Sequence, residues 1–209
     1  MNTSIFIRDH GLCDYLSTWD EMKQFTAQRT ADTPDELWLL EHFPVFTQGQ
    51  AGKAEHILNA GSIPIIQSDR GGQVTYHGPG QLIVYVLLDL RRRHLSVRDL
   101  VCHLERSVIA LLKAQWDIEA YARREAPGVY VNSAKIASLG LRVRHGCTLH
   151  GLSFNINMDM EPFSRINPCG HQGLQVTQLV DLIGACDVSE VKPMLLNYLV
   201  DCFNQDSSI

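Results

Sequence analysis

The chain holds six cysteines, yet none form a C-x-x-C pair or any zinc-ligand spacing. This argues against a thioredoxin-like redox pair and a structural zinc site, and most of the thiols are expected to be buried fillers in a reducing compartment. An excess of positive charge is also missing. The 18 basic residues face 23 acidic ones, for a net charge of −5. That argues against a nucleic-acid binder working through bulk charge, while saying little about local patches. No apolar run approaches membrane-spanning length, the longest being L-I-V-Y-V-L-L-D-L from Leu82. The opening M-N-T-S-I-F-I-R-D-H carries charge early and lacks an apolar core of signal-peptide length. No repeat, low-complexity tract or Pro/Gly/Ser-rich linker divides the 209 residues. One soluble, cytoplasmic domain over 1–209 is expected, bound to neither membrane nor nucleic acid.

The periodicities predict mixed elements. Thr3 to Asp9 reads as a strand, and Leu12 to about Gln28 as a helix, with Tyr15, Leu16, Trp19, Met22 and Phe25 at helical spacing. Leu37 to Glu41, Ile63 to Gln67, Gln73 to His77 and Leu82 to Asp89 read as strands, with F-T-Q-G-Q-A-G as a loop. Ser96 is a good N-cap for a helix to about Gln115. Lys135 to Arg144 and Thr148 to Asn157 read as a hairpin turning at His145-Gly146. A last helix covers Val188 to Asn204, with Pro193 near its first turn. Hairpins mixed with helices predict an α+β fold with a mixed, largely antiparallel sheet and helices packed on it.

Four stretches can carry chemistry. The segment S-D-R-G-G-Q-V-T-Y-H-G-P-G-Q from Ser68 has four glycines in fourteen residues. It is either a hairpin with tight turns or a loop whose backbone admits a ligand closely. It matches neither the phosphate-loop nor the dinucleotide pattern. In K-I-A-S-L-G-L-R-V-R, strict alternation places Lys135 on one face with Ala137, Leu139, Leu141 and Val143. A lysine there is either at a solvated strand end or held in an apolar wall, and such a wall makes a lysine a usable base. In H-G-L-S-F-N-I-N, alternation places His150 with Leu152, Phe154 and Ile156. A lone histidine in that company is more often a hydrogen-bonded core residue than a catalyst. In R-I-N-P-C-G, Pro168 holds Asn167 extended and Gly170 permits a sharp turn, which exposes the Cys169 thiol and offers backbone N–H groups to a developing oxyanion. His171 is the base nearest in sequence, but residues two apart in a turn rarely point the same way.

Together these stretches resemble the lipoyl(octanoyl) transferase family over nearly the whole chain. The matching segments are E-H-F-P-V-F-T-Q-G-Q from Glu41, D-R-G-G-Q-V-T-Y-H-G-P-G-Q from Asp69, A-P-G-V-Y-V from Ala126, K-I-A-S-L-G-L-R from Lys135, H-G-L-S-F-N from His150 and I-N-P-C-G from Ile166. Ala137 departs from the family, where cysteine is frequent, with no expected effect on mechanism. The resemblance implies the fold of the biotin and lipoate protein ligase catalytic domains. It implies transfer of an octanoyl or lipoyl group from acyl carrier protein to a lysine of lipoyl domains. Those acceptors are the 2-oxoacid dehydrogenase complexes and the glycine cleavage H protein. Cys169 is implied as the nucleophile and Lys135 as its partner. Arg70, Gly71, Gly72, Gln73, Val74, Thr75, Tyr76 and His77 are implied to line the acyl pocket, with Ser138, Leu139, Gly140, Gly151, Leu152 and Ser153. No metal, cofactor or ATP is implied, because the donor is already a thioester on phosphopantetheine.

The chemistry suits those roles. An ordinary thiol is only a few per cent ionised at neutral pH, and a neighbouring ammonium favours the thiolate. Thioester-to-thioester exchange is near balanced, and thioester to amide is downhill. An acidic carrier needs a local basic patch on this acidic chain; L-R-R-R-H from Leu90, Arg123-Arg124 and R-V-R-H from Arg142 are the candidates. An ATP-dependent ligase, a non-catalytic lipoyl-domain binder and a thioester hydrolase are the competing readings. Oligomeric state, chain-length strictness, and the roles of His77, His150 and His171 stay open.

Overall fold

The computed structural model describes residues 5–205, and of the last two only the backbone. Thr3 and Ser4 of the expected first strand lie outside that range. A seven-stranded sheet forms the centre, in the order β1-β2-β6-β10-β9-β8-β7. Its strands are β1 (Ile5–Cys13), β2 (Asp35–His42), β6 (Gln81–Leu87), β7 (Tyr121–Ala122), β8 (Gly128–Val131), β9 (Ala134–Arg144) and β10 (Cys147–Asn155). Only β1 and β2 run parallel; the other neighbours are antiparallel. A three-stranded sheet of β3 (Val45–Gln48), β4 (Ile65–Gln67) and β5 (Val74–His77) stands beside it. This is the expected mixed, mostly antiparallel α+β fold.

Strand β6 shows why the longest apolar run shows no alternation. Leu82, Val84 and Val86 face one way, against Leu100, Leu104 and Val108 of α2 (Val97–Trp116) and Val191, Leu195 and Leu199 of α4 (Val188–Gln205). Ile83, Tyr85 and Leu87 face the other way, toward Met22 of α1 (Tyr15–Ala27). A strand covered on both faces reads as a continuous apolar run. The α2 start follows its sequence signal: the Ser96 hydroxyl accepts from the Asp99 N–H while the Asp99 carboxylate accepts from the Ser96 N–H. A short helix, α3 (Val180–Ile183), precedes α4.

Several boundaries differ from expectation. Leu12 belongs to β1, and α1 starts after Asp14, whose carboxylate caps the Ser17 N–H at 2.9 Å. The stretch read as a loop from Phe46 contributes β3. Pro193 is the sixth residue of α4, deeper than its first turn. The helix continues because Val191, Leu195, Leu199 and Phe203 bury on one stripe.

The candidate patch at Leu90 is also corrected. Arg92 and Arg93 turn inward, with Arg29, onto the Asp35 carboxylate. Asp35 is 1% exposed and also accepts from the Asp89 N–H at 2.9 Å. Burial alone would push the carboxyl up, but the Asp89 N–H and Arg93 outweigh it and hold the carboxyl below its ordinary range. Arg92 and Arg93 are therefore committed to the fold, and only Arg91 of the three is exposed. Removing the carboxylate leaves three guanidinium groups without their shared counter-charge. Asp35→Ala is expected to cost about 3–5 kcal/mol of unfolding free energy in a urea titration.

Candidate active site

Cys169 lies on a single 3₁₀ turn, Pro168–Gly170, between two anchors. On one side the Asn167 N–H donates to His56 O at 2.8 Å and the Leu58 N–H to Arg165 O at 2.8 Å. On the other, the Lys135 N–H donates to Gln175 O at 2.8 Å and Thr177 N–H to Lys135 O at 2.9 Å. The cysteine-bearing turn is thus stitched directly to the strand that carries Lys135. Cys169 itself has φ 56°, a left-handed conformation that costs a non-glycine residue energy, followed by Gly170 at φ 76°. The expected oxyanion donors differ from the sequence reading. Gly170 N–H and His171 N–H are already given to Asn167 O and Pro168 O within the turn.

Lys135 is 2% exposed, and its Nζ donates to Cys169 Sγ at 3.1 Å and to Pro127 O at 3.0 Å. Strict alternation placed it with Ala137 and Leu139; a bulge overturns that. Tyr130 pairs with Lys135 but Val129 with Ala137, leaving Ile136 without a partner on β8. Ile136 and Ala137 therefore both face the α2/α4 core, and Lys135 shares the opposite face with Ser138. Its ammonium lies over the Tyr130 ring at 5.2 Å from the centroid.

That face opens on a cavity of about 400 Å³. Arg70, Gly71, Gly72, Gln73, Val74, Thr75 and His77 line it, as do Ser138, Leu139, Gly140, Gly151, Leu152 and Ser153, with Lys135, Cys169 and His171. Tyr76 does not. Strand β5 sends Thr75 and His77 to the cavity, while Tyr76 packs between Phe46 and Phe163 in a separate cluster, ring centroids 5.5 and 5.6 Å away. Arg70 is 8% exposed and staples the glycine loop, donating to Thr47 O at 2.6 Å and Gln73 O at 2.7 Å. Burial holds its basicity below the usual arginine value.

His150 also departs from simple alternation. Its φ of 62° in mid-strand turns the ring away from Leu152 and Phe154 and into the cavity wall, where Nε2 donates to Asp69 Oδ1 at 2.7 Å. Trp19 Nε1 donates to the same oxygen at 2.9 Å. Tyr15, Ile83 and Tyr85 also line the cavity, and no local pattern in the chain places them there. Tyr15 reads as one apolar position of α1, and Tyr85 as part of a core strand. Their hydroxyls are bonded behind the wall, Tyr15 to Ser68 Oγ at 2.7 Å and Tyr85 to His42 Nε2 at 2.7 Å. His77 Nδ1 donates to Gln81 Oε1 at 2.7 Å, since the Gln81 amide nitrogen donates elsewhere. Tyr15, Tyr85 and His77 thus line the cavity with these polar atoms already hydrogen-bonded.

A model of the lipoyl protein ligase A/B catalytic domain matches residues 14–200. The chain belongs to that family. An octanoyltransferase of Stutzerimonas stutzeri is 60% identical over 200 residues, covering 96% of this chain and 91% of the relative. In fold, lipoate-protein ligase A bound with ATP superposes with a TM-score of 0.72 at 14% identity, over 98% of this chain and 86% of that one. Biotin protein ligase of Aquifex aeolicus superposes with a TM-score of 0.60 at 12% identity, over 98% and 72%. At those identities the two structures show shared architecture alone.

Two of the buried histidines, His42 and His77, make stability depend on pH. Burial pushes His42 down from 6.5 to about 4 and His77 to about 3. Both are neutral in the fold but take protons near 6.5 once unfolded, so the unfolded chain binds more protons below that pH. Stability is full above 6.5 and is lost as pH falls toward about 4 and then about 3. The melting temperature is expected to drop across that window. His42→Gln, which keeps an acceptor for Tyr85, should remove about one proton's worth of the slope.

Proposed function

We propose that this chain is an octanoyltransferase that carries the acyl group on Cys169 and moves protons through Lys135. The observation that carries the mechanism is the 3.1 Å contact between the Lys135 ammonium and the Cys169 sulfur, at the wall of a carbon-lined cavity. The donor is octanoyl-acyl carrier protein, whose phosphopantetheine thioester needs no ATP. The acceptor is a lysine of the lipoyl domains of 2-oxoacid dehydrogenase complexes or the glycine cleavage H protein, in the cytoplasm. The high identity to octanoyltransferases supports the cargo and the reaction type.

The proton balance closes over two half-reactions. The Cys169 thiolate attacks the donor carbonyl, a new C–S bond forms, and the pantetheine C–S bond breaks. Lys135 gives its proton to the departing thiolate. The acceptor amine then attacks the Cys169 thioester, and neutral Lys135 takes the proton it loses. Cys169 leaves as thiolate, and the pair is restored without outside acid or base. The acyl chain gains about 0.8 kcal/mol for each CH₂ it buries, so about 5 kcal/mol for six of them.

With Arg92 and Arg93 held by Asp35, the remaining basic candidates for the acidic carrier are Arg123-Arg124 and Arg142 with Arg144. Arg124 and Arg144 are exposed. Arg123 is half-buried, its guanidinium 4.3 Å from the Tyr130 ring centroid.

Intact-mass spectrometry after incubation with octanoyl-acyl carrier protein is expected to show one octanoyl group on Cys169, which moves to an added lipoyl domain without ATP. Cys169→Ser should show none, or a stable ester. An ATP requirement, or no adduct on the wild type, would sink the reading. Lys135→Ala should slow acylation about 100-fold or more while the fold persists; full activity there would remove the pair.

A further inference from the structure

Helix α2 presents an apolar stripe to the sheet, formed by Leu100, Leu104, Val108, Leu111 and Leu112. Beside Leu104 on this buried surface stands a carboxylate, Glu105, only 7% exposed. Burying a carboxyl in such surroundings is costly unless it has partners. Burial pushes Glu105 above the usual carboxylate range, and the Gly128 N–H and the Lys135 charge pull the other way. No step of the proton cycle above uses it.

Its hydrogen bond shows what it does. Glu105 Oε1 accepts from the Gly128 N–H at 2.8 Å. The carbonyl of that same peptide unit is Pro127 O, which accepts from Lys135 Nζ at 3.0 Å. The N–H and C=O of a planar trans amide point in opposite directions, so one peptide group joins the carboxylate to the ammonium. An anion on the N–H end strengthens the acceptor at the C=O end, because hydrogen bonds in series polarise one another. Gly128 lets the lysine lie against this peptide. A Cβ there would stand 2.6 Å from Ala137 O and 3.0 Å from Lys135 Cε, at a φ of +143°.

We infer that Glu105 is a positioning residue for Lys135, holding its ammonium against Cys169 through the Pro127–Gly128 peptide group. The inference rests on the acyltransferase reading and adds a third member to the pair. Glu105 touches neither acyl donor nor sulfur. It supplies a buried counter-charge, joined to the Lys135 ammonium through that peptide group. Among the described residues, Pro127 O, the Cys169 sulfur and the Tyr130 ring face that ammonium.

The test is the rate at which octanoyl-pantetheine thioester acylates Cys169, followed by quenched intact mass across a range of pH. Glu105→Gln keeps an acceptor for the Gly128 N–H and drops the charge; Glu105→Leu drops both. For Glu105→Gln the rate at the optimum is expected to fall about tenfold, with donor KM changed by less than about twofold. The alkaline limb, where the ammonium is lost, should move lower by about one pH unit. Glu105→Leu should fall further, by about 100-fold. Circular dichroism at each pH gives the folded fraction, and rates are normalised to it, so that lost stability is separated from a moved limb. An unmoved alkaline limb in Glu105→Gln, with or without a slower rate, overturns the inference while the wild-type adduct upholds the acyltransferase reading. A wild-type protein that takes no octanoyl group sinks both.

Discussion

A lysine ammonium that is 2% exposed needs partners, and the local structure around the sulfur is organised to supply them. Taking a charge of that kind out of water is expensive, and each contact that offsets the cost also fixes a position. Nζ donates one hydrogen bond to Pro127 O and another to Cys169 Sγ. The backbone of Lys135 holds the segment beyond the cysteine at Gln175 and Thr177. Strand β8 supplies the Tyr130 ring and, through Gly128, the space for the lysine stem. The left-handed Cys169 is sustained because the chain is fixed on both sides of it. The sulfur is therefore placed by the lysine's requirements as much as by its own.

Polar groups are buried elsewhere by two contrasting solutions. Around Asp35 the charges are kept and balanced, a carboxylate among three guanidinium groups. In and behind the cavity wall the titratable rings are held neutral, with His42 and His77 depressed by burial and each hydrogen-bonded. The first solution ties the loop after β6 to β2. The second turns the polar atoms of Tyr15, Tyr85 and His77 onto fixed hydrogen bonds, while the residues themselves line the cavity.

The elements with strong local signals were legible. Ser96 marked the start of α2, the β9–β10 hairpin followed from alternation around His145-Gly146, and the glycine-dense segment from Ser68 forms one wall of the cavity. What could not be read was which way particular side chains point. Lys135 and His150 both defied period-two alternation, one through a bulge at Ile136 and one through a positive φ. Neither device has a sequence signature at a non-glycine position. Tyr76 followed alternation away from the cavity, whereas the resemblance treated its segment as a block. Arg92 and Arg93 looked like a surface run because nothing near them in sequence announces Asp35 as their partner. Nothing in the sequence singles out Glu105 among the charges of α2.

The bulge at Ile136 has a wider consequence. A sheet strand works like a reading frame of two, and one unpaired residue shifts that frame between Lys135 and everything after it. With Ile136 and Ala137 both turned to the core, Lys135 and Ser138 are left together on the cavity side. Regular pairing of the same residues would read the lysine onto the core side of the sheet instead, among Leu100 and Leu104. The lysine's address is thus a matter of parity: a bulge displaced to the far side of Lys135 would keep the strand and lose the chemistry.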